Sequence, residues 1–160
     1  MKTLRTSCSA LFLAGLLAAP PAQAQSPWEV GPHLGVNLDN DELLLGAVGR
    51  LNLSSLPITL NPGFEFYPGL DGGSLFALNF DVQYQLEAET VEPYVGGGIS
   101  WARFSPDVGT SSSDVGLNLK GGVSFNPASR THPYAEAVLN FANGSEALIF
   151  KAGFLFTIGG

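Results

Sequence analysis

The chain has 160 residues, of which only 13 % are charged, and its 14 acidic against 7 basic side chains give a net charge of −7. An acidic balance without a cluster of Lys and Arg excludes a nucleic-acid-binding surface, and a single cysteine, Cys8, excludes a disulfide scaffold. A soluble domain usually carries charge on roughly a quarter of its residues, so a chain this poor in charge would have difficulty covering a water-facing surface.

Taken in chain order, the first feature is an export signal. Lys2 and Arg5 precede an apolar run at residues 11–19, and Ala22-Gln23-Ala24 places small residues at the positions a signal peptidase reads. These features predict a cleaved signal over residues 1–24 and a single domain over residues 25–160. The run is too short for a membrane-spanning helix, which needs roughly 20 residues. Cys8 lies ahead of the run, so it is not a lipid-attachment cysteine, and it leaves with the signal. The exported part then has no thiol nucleophile and no thiolate metal ligand.

Beyond residue 24 the recurring pattern is alternation of period two, broken by turn residues. Eight segments follow it, at 28–38, 43–53, 58–67, 74–86, 92–104, 115–126, 133–141 and 147–158. The intervening stretches carry Gly, Pro, Asn, Asp or Ser, which make tight turns accessible. In the third segment Ile58, Leu60, Phe64 and Phe66 oppose Thr59, Asn61, Gly63 and Glu65. The fourth sets Phe76, Leu78, Phe80, Val82 and Tyr84 against Ala77, Asn79, Asp81, Gln83 and Gln85. The sixth sets Leu117, Leu119 and Val123 against Asn118, Lys120 and Ser124, and the eighth sets Phe150, Phe154 and Phe156 against Lys151, Gly153 and Thr157. Two prolines interrupt the pattern: Pro32 is expected near a strand end, and Asn61-Pro62-Gly63 at a bulge or kink. The expected fold is all-β, an eight-stranded antiparallel up-and-down transmembrane β-barrel.

Facing separates two functions. A soluble calyx turns its apolar face inward, whereas an outer-membrane barrel turns it to lipid. Here the polar face is mostly Asn, Gln, Ser and Gly with isolated charges, not a solubilising coat. A lysine or arginine facing lipid at mid-membrane costs roughly 2–4 kcal/mol, and Arg50, Lys120 and Lys151 all have the polar parity. The membrane orientation follows. Arg50, Glu65, Asp81, Lys120, Glu136 and Lys151, with Glu29 at the same parity, are then expected to form a self-paired charge network that plugs the lumen, because isolated ions there would be expensive.

Glu92-Pro93-Tyr94-Val95-Gly96-Gly97-Gly98-Ile99-Ser100-Trp101 resembles the fifth-strand Pro-Tyr-x-Gly-x-Gly pattern of outer-membrane protein A-type and opacity-type β-barrels. His132-Pro133-Tyr134-Ala135-Glu136 is similar to the start of their seventh strand, and Lys151-Ala152-Gly153-Phe154 to their closing one. The resemblance implies an outer-membrane location, among families that include structural barrels, adhesion proteins and narrow pores. Such barrels commonly finish on an aromatic residue read by the assembly machinery; here Phe156 is the expected substitute.

Other candidate chemistry is weak. His33 has lumen parity, while His132 is assigned to a turn at the periplasmic rim, and neither has neighbours at zinc-ligand spacing. Ser100, Ser124, His33 and Glu29 share the lumen, but no motif sets a nucleophile beside a base. Gly96-Gly97-Gly98 lacks the strand–loop–helix setting and lysine of a phosphate cradle, and reads instead as relief of crowding. Ser105 to Asp114 is expected to be the longest external loop, and Asp39, Asp41, Glu42, Asp71, Asp107, Asp114 and Glu146 make the external side acidic.

The sequence therefore predicts a structural or envelope-integrity outer-membrane barrel, not an enzyme, with no cofactor, no metal and no nucleic-acid partner. Its expected surroundings are outer-membrane lipid, lipopolysaccharide and the assembly machinery. Two alternatives remain: a narrow channel for small solutes, and a soluble periplasmic lipocalin-like binder of apolar ligands.

Overall fold

A computed structural model describes residues 28–53, 56–70, 72–86, 88 and 90–158. The export signal at 1–24 lies outside these residues, as does Asp71 of the acidic set. The described residues form eight strands: β1 (Trp28–Asn37), β2 (Glu42–Leu53), β3 (Ile58–Leu70), β4 (Gly73–Gln85), β5 (Val91–Pro106), β6 (Ser112–Phe125), β7 (Thr131–Ala142) and β8 (Ser145–Ile158). Each strand pairs antiparallel with the next, and β1 pairs with β8, so the sheet closes into a barrel in simple up-and-down order. Closure leaves no edge strand, the arrangement in which every ladder has a partner on both sides.

The alternation in the sequence becomes the two faces of the wall. Thr59, Asn61, Glu65, Asn79, Asp81, Gln83, Asn118, Lys120 and Ser124 are buried in the lumen. Leu34, Phe80, Ile99, Leu117, Leu119 and Phe154 are exposed on the outside, Leu117 at 61 %. The lumen is not wholly polar: Leu44, Tyr67, Val138 and Ile149 form a small apolar cluster with Leu75 packed against it.

The strands run further into the connections than the turn residues suggest. The link between β5 and β6 is only 107–111, not the loop expected from Ser105 to Asp114, because the ladder continues through Phe104↔Ser112. β3 extends to Leu70, where it pairs with Gly73 across a register irregularity that begins at Tyr67. Between β7 and β8, Asn143 (φ 50°) and Gly144 (φ 76°) occupy the left-handed region in succession, the requirement of the two-residue turn whose twist matches a hairpin. His132 is not in a turn: the carbonyl of Arg130 already accepts a bond from the Thr157 amide, and the ladder from Thr131↔Phe156 onward draws His132 into β7.

Pro32 is not near a strand end, and Pro62, within its expected strand, is not at a bulge. Pro32 lies in the middle of β1, flanked on the β8 side by the pairs Val30↔Phe156 and His33↔Gly153. Pro62 lies within β3, flanked on the β2 side by Val48↔Gly63 and Leu51↔Leu60. Each flanking set has one constant register, so there is no bulge at either position. The ring removes one donor, and the loss is confined to one side of one strand. On their other sides, Pro32↔Ala47 and Pro62↔Phe80 remain paired.

Close packing depends on glycine at particular rungs. A Cβ on Gly122 would collide with the Tyr94 ring and with the Ala135 carbonyl, whereas one on Gly121 would meet nothing closer than 3.8 Å. Gly122→Ala is therefore expected to destabilise the barrel by about 1–3 kcal/mol through overpacking, and Gly121→Ala to be close to neutral. Urea-induced unfolding of the two variants in detergent, followed by tryptophan fluorescence, measures the difference.

Candidate functional site

The inward positions of β3, β4, β6, β7 and β8 bring five charged side chains into one connected chain. Lys120 Nζ lies 3.0 Å from Asp81 Oδ2 and 3.2 Å from Glu136 Oε2. Lys151 pairs with Glu65 and lies 3.7 Å from Glu136 Oε1. The order is Asp81–Lys120–Glu136–Lys151–Glu65, with Glu136 shared between the two lysines.

Register explains how these groups meet. Glu136 and Lys151 are direct cross-strand partners, and Lys120 reaches Glu136 as its diagonal neighbour across the β6–β7 ladder. Asp81 and Lys120 are separated by β5, and the inward residues of β5 beside them are Gly98, opposite Asp81, and Gly96, opposite Lys120. A Cβ at Gly98 would collide with the Asp81 side chain. The glycine run therefore clears the route along which the Asp81–Lys120 pair crosses an intervening strand.

Neutral groups occupy the remaining acceptor positions. Tyr94 donates its hydroxyl to Glu136 Oε2 at 3.2 Å, and Gln83 donates to the same oxygen at 3.3 Å. Tyr67 donates to Glu65 Oε2 at 3.1 Å. The Asn118 amide donates to Asp81 Oδ1 at 3.0 Å and to Asn79 Oδ1 at 3.1 Å. Asn140 in turn donates to Asn118 Oδ1 at 2.7 Å and to Ser100 Oγ at 2.8 Å.

Arg50 stands apart from the carboxylate chain. It is 1 % exposed, and among the described residues no carboxylate lies within ion-pair distance of it. Its guanidinium sits 4.8 Å from the Tyr94 ring centroid and 4.9 Å from that of Tyr134, and Nη1 donates to Ser124 Oγ at 2.8 Å. Arginine between aromatic faces is favourable when desolvated. With Arg50 included, three cations balance three carboxylates.

Tyr67, Tyr94 and Tyr134 are buried in the lumen beside the charged groups, a role the sequence reading missed. Their parity was the available signal, since Tyr67 shares the face of Glu65 and Tyr134 that of Glu136. The histidines also have structural partners. His33 Nδ1 lies 3.1 Å from the Tyr134 hydroxyl, and its Nε2 lies 3.9 Å from Glu65. His132, 1 % exposed, places Nε2 3.8 Å from Glu29 and Nδ1 3.2 Å from the Ser129 carbonyl. Ser100 and Ser124 are engaged by Asn140 and Arg50, and among the described residues neither hydrogen-bonds a histidine. No cluster of three or more potential metal ligands occurs among the described residues.

The free space differs by level. Among His33, Arg50, Asn61, Asp81, Lys120 and Glu136 it is about 10 Å³. Toward the end that carries the connections at 38–41, 107–111 and 143–144, the lumen widens into a cavity of about 310 Å³.

No family model matches the chain, and no curated protein matches it. Solved structures do resemble it. The N-terminal β-barrel domain of Pseudomonas aeruginosa OprF superposes with a TM-score of 0.69 at 16 % identity, covering 85 % of this chain and 100 % of that one. Neisserial surface protein A gives 0.64 at 15 % identity, covering 82 % and 95 %. The outer membrane enzyme PagL gives 0.54 at 14 % identity, covering 81 % and 99 %. At these identities the likeness is one of fold: a small, closed, eight-stranded barrel of the kind found in bacterial outer membranes.

Proposed function

We propose that this chain is a bacterial outer-membrane barrel with a structural or envelope-integrity role, and that its ion layer plugs the lumen. The observation that carries the reading is the chain Asp81–Lys120–Glu136–Lys151–Glu65, with about 10 Å³ of free space at the level of its side chains. That volume is about one water molecule, so a hydrated solute has no path between the ions. The outward belt of Leu34, Phe80, Ile99, Leu117, Leu119 and Phe154 supports lipid as the surrounding solvent. A water-soluble protein exposing this belt would aggregate. Export through a cleaved signal at residues 1–24, and recognition of the closing strand by the assembly machinery through the outward Phe156, belong to the same reading. Lipopolysaccharide is then the neighbour of the acidic turns at the external end.

A non-enzymatic role is supported by the engagement of Ser100 and Ser124 with Asn140 and Arg50, which leaves neither beside a base. The narrow-channel reading requires the ion layer to part, and the soluble-calyx reading requires the outward belt to face water.

Three measurements test this function. Purified protein in planar bilayers is expected to show no steady conductance, and a persistent open level would overturn the plug. Leu117→Lys, at the middle of β6 on the outward face, is expected to cost about 2–4 kcal/mol in detergent or lipid. If that variant were instead unchanged in stability and the protein stayed monomeric without detergent, the membrane assignment would fail. Glu136→Ala strips two lysines of a shared partner and is expected to destabilise by about 3 kcal/mol, read as a lower transition temperature for the heat-modifiable gel shift.

A further inference from the structure

Above the ion layer the lumen changes character. The cavity of about 310 Å³ has the size of a small-molecule site. Its floor is the Lys151–Glu65 pair, tied to Tyr67. One part of the wall is amide and hydroxyl, from Asn79, Asn118, Asn140 and Ser100; another is apolar, including Leu75, Phe104 and Ile149. The internal bonds leave ligand-binding capacity unspent. Asn140 donates twice through its amide nitrogen, which leaves its amide oxygen; Asn79 accepts through its oxygen, which leaves its amide nitrogen.

Charge narrows the ligand class. Lys151 and Glu65 neutralise one another, while the Glu42 carboxylate, at the rim of the cavity, has no hydrogen bond or ion pair among the described residues. Asp39, Asp41, Asp107, Asp114 and Glu146 lie at the same end, against Arg103 as the one cation there among the described residues. An anion is disfavoured by this field. A ligand that satisfies every wall carries hydroxyls for the amides, a C–H face for the apolar side and one ammonium for Glu42.

From this arrangement we infer that the cavity is a blind binding cup for a small hydroxylated primary amine of amino-sugar size. The inference rests on the plugged-lumen reading, because the ion layer is its floor. Glu42 selects the amine, and the asparagines hold the hydroxyls.

The test uses isotope-labelled protein refolded in detergent micelles and titrated with glucosamine at constant ionic strength, with glucose and glucuronate in parallel. Glucosamine is expected to cause saturable shifts in the side-chain amides of Asn79, Asn118 and Asn140. It should bind about tenfold more tightly than glucose, the scale of a hydrogen bond to a charged group, and glucuronate should cause no shift. Glu42→Gln should reduce glucosamine to the level of glucose while the remaining spectrum stays that of the folded barrel. Shifts confined to the turns, equal binding of glucuronate, or an unchanged Glu42→Gln affinity would each overturn the site. Swelling of proteoliposomes in glucosamine reads the floor separately. Swelling would overturn the plug and the blind cup with it, whereas absent shifts without swelling would overturn the cup alone.

Discussion

A β-sheet is finished only when its last strand has a partner, and here the partner of β8 is β1. The ladder from Trp28↔Ile158 to Asn37↔Ile149 removes both edges at once. It also forces every side chain to one of two sides with no third choice. Once the sheet closes, a residue's parity decides whether it enters a small enclosed volume or faces outward. The ion chain, the tyrosine stack and the outward apolar belt are all consequences of that division.

The enclosed volume imposes the second constraint. An eight-stranded barrel has an interior just wide enough for side chains to fill, so large inward groups must be matched by small ones across from them. Gly122 lies under Tyr94, and Gly153 meets Tyr134 and His33. Gly96 and Gly98 leave β5 low where Asp81 and Lys120 approach each other. The glycines thus position the charge layer as directly as the charged residues do. The layer, in turn, is spread over five strands, so its groups meet only in the closed barrel.

Alternation made most of the fold legible. Strands 3, 4, 6 and 8 show clean parity, and the polar parity of Arg50, Lys120 and Lys151 indicated which face turns inward. Strand ends were less legible, because turn-forming residues such as Ser112, Ser113 and Pro106 read as loop until the neighbouring ladder supplies their hydrogen bonds. The same effect moved His132 from an expected turn into β7. Pro32 and Pro62 looked like interruptions because a proline removes a donor, yet each affects only one of the two ladders its strand makes.

Residue types and their period-two order were sufficient to specify eight strands, their antiparallel succession and their two faces, since these follow from local geometry. The sequence by itself also placed the six charged residues Arg50, Glu65, Asp81, Lys120, Glu136 and Lys151 on a common side. Only the tertiary structure decided who pairs with whom. Arg50 takes two tyrosine rings and a serine in place of a carboxylate, and Glu136 takes two lysines. Pairing across a barrel depends on register, shear and the heights of intervening side chains, and these are set jointly by all eight strands when the ring closes.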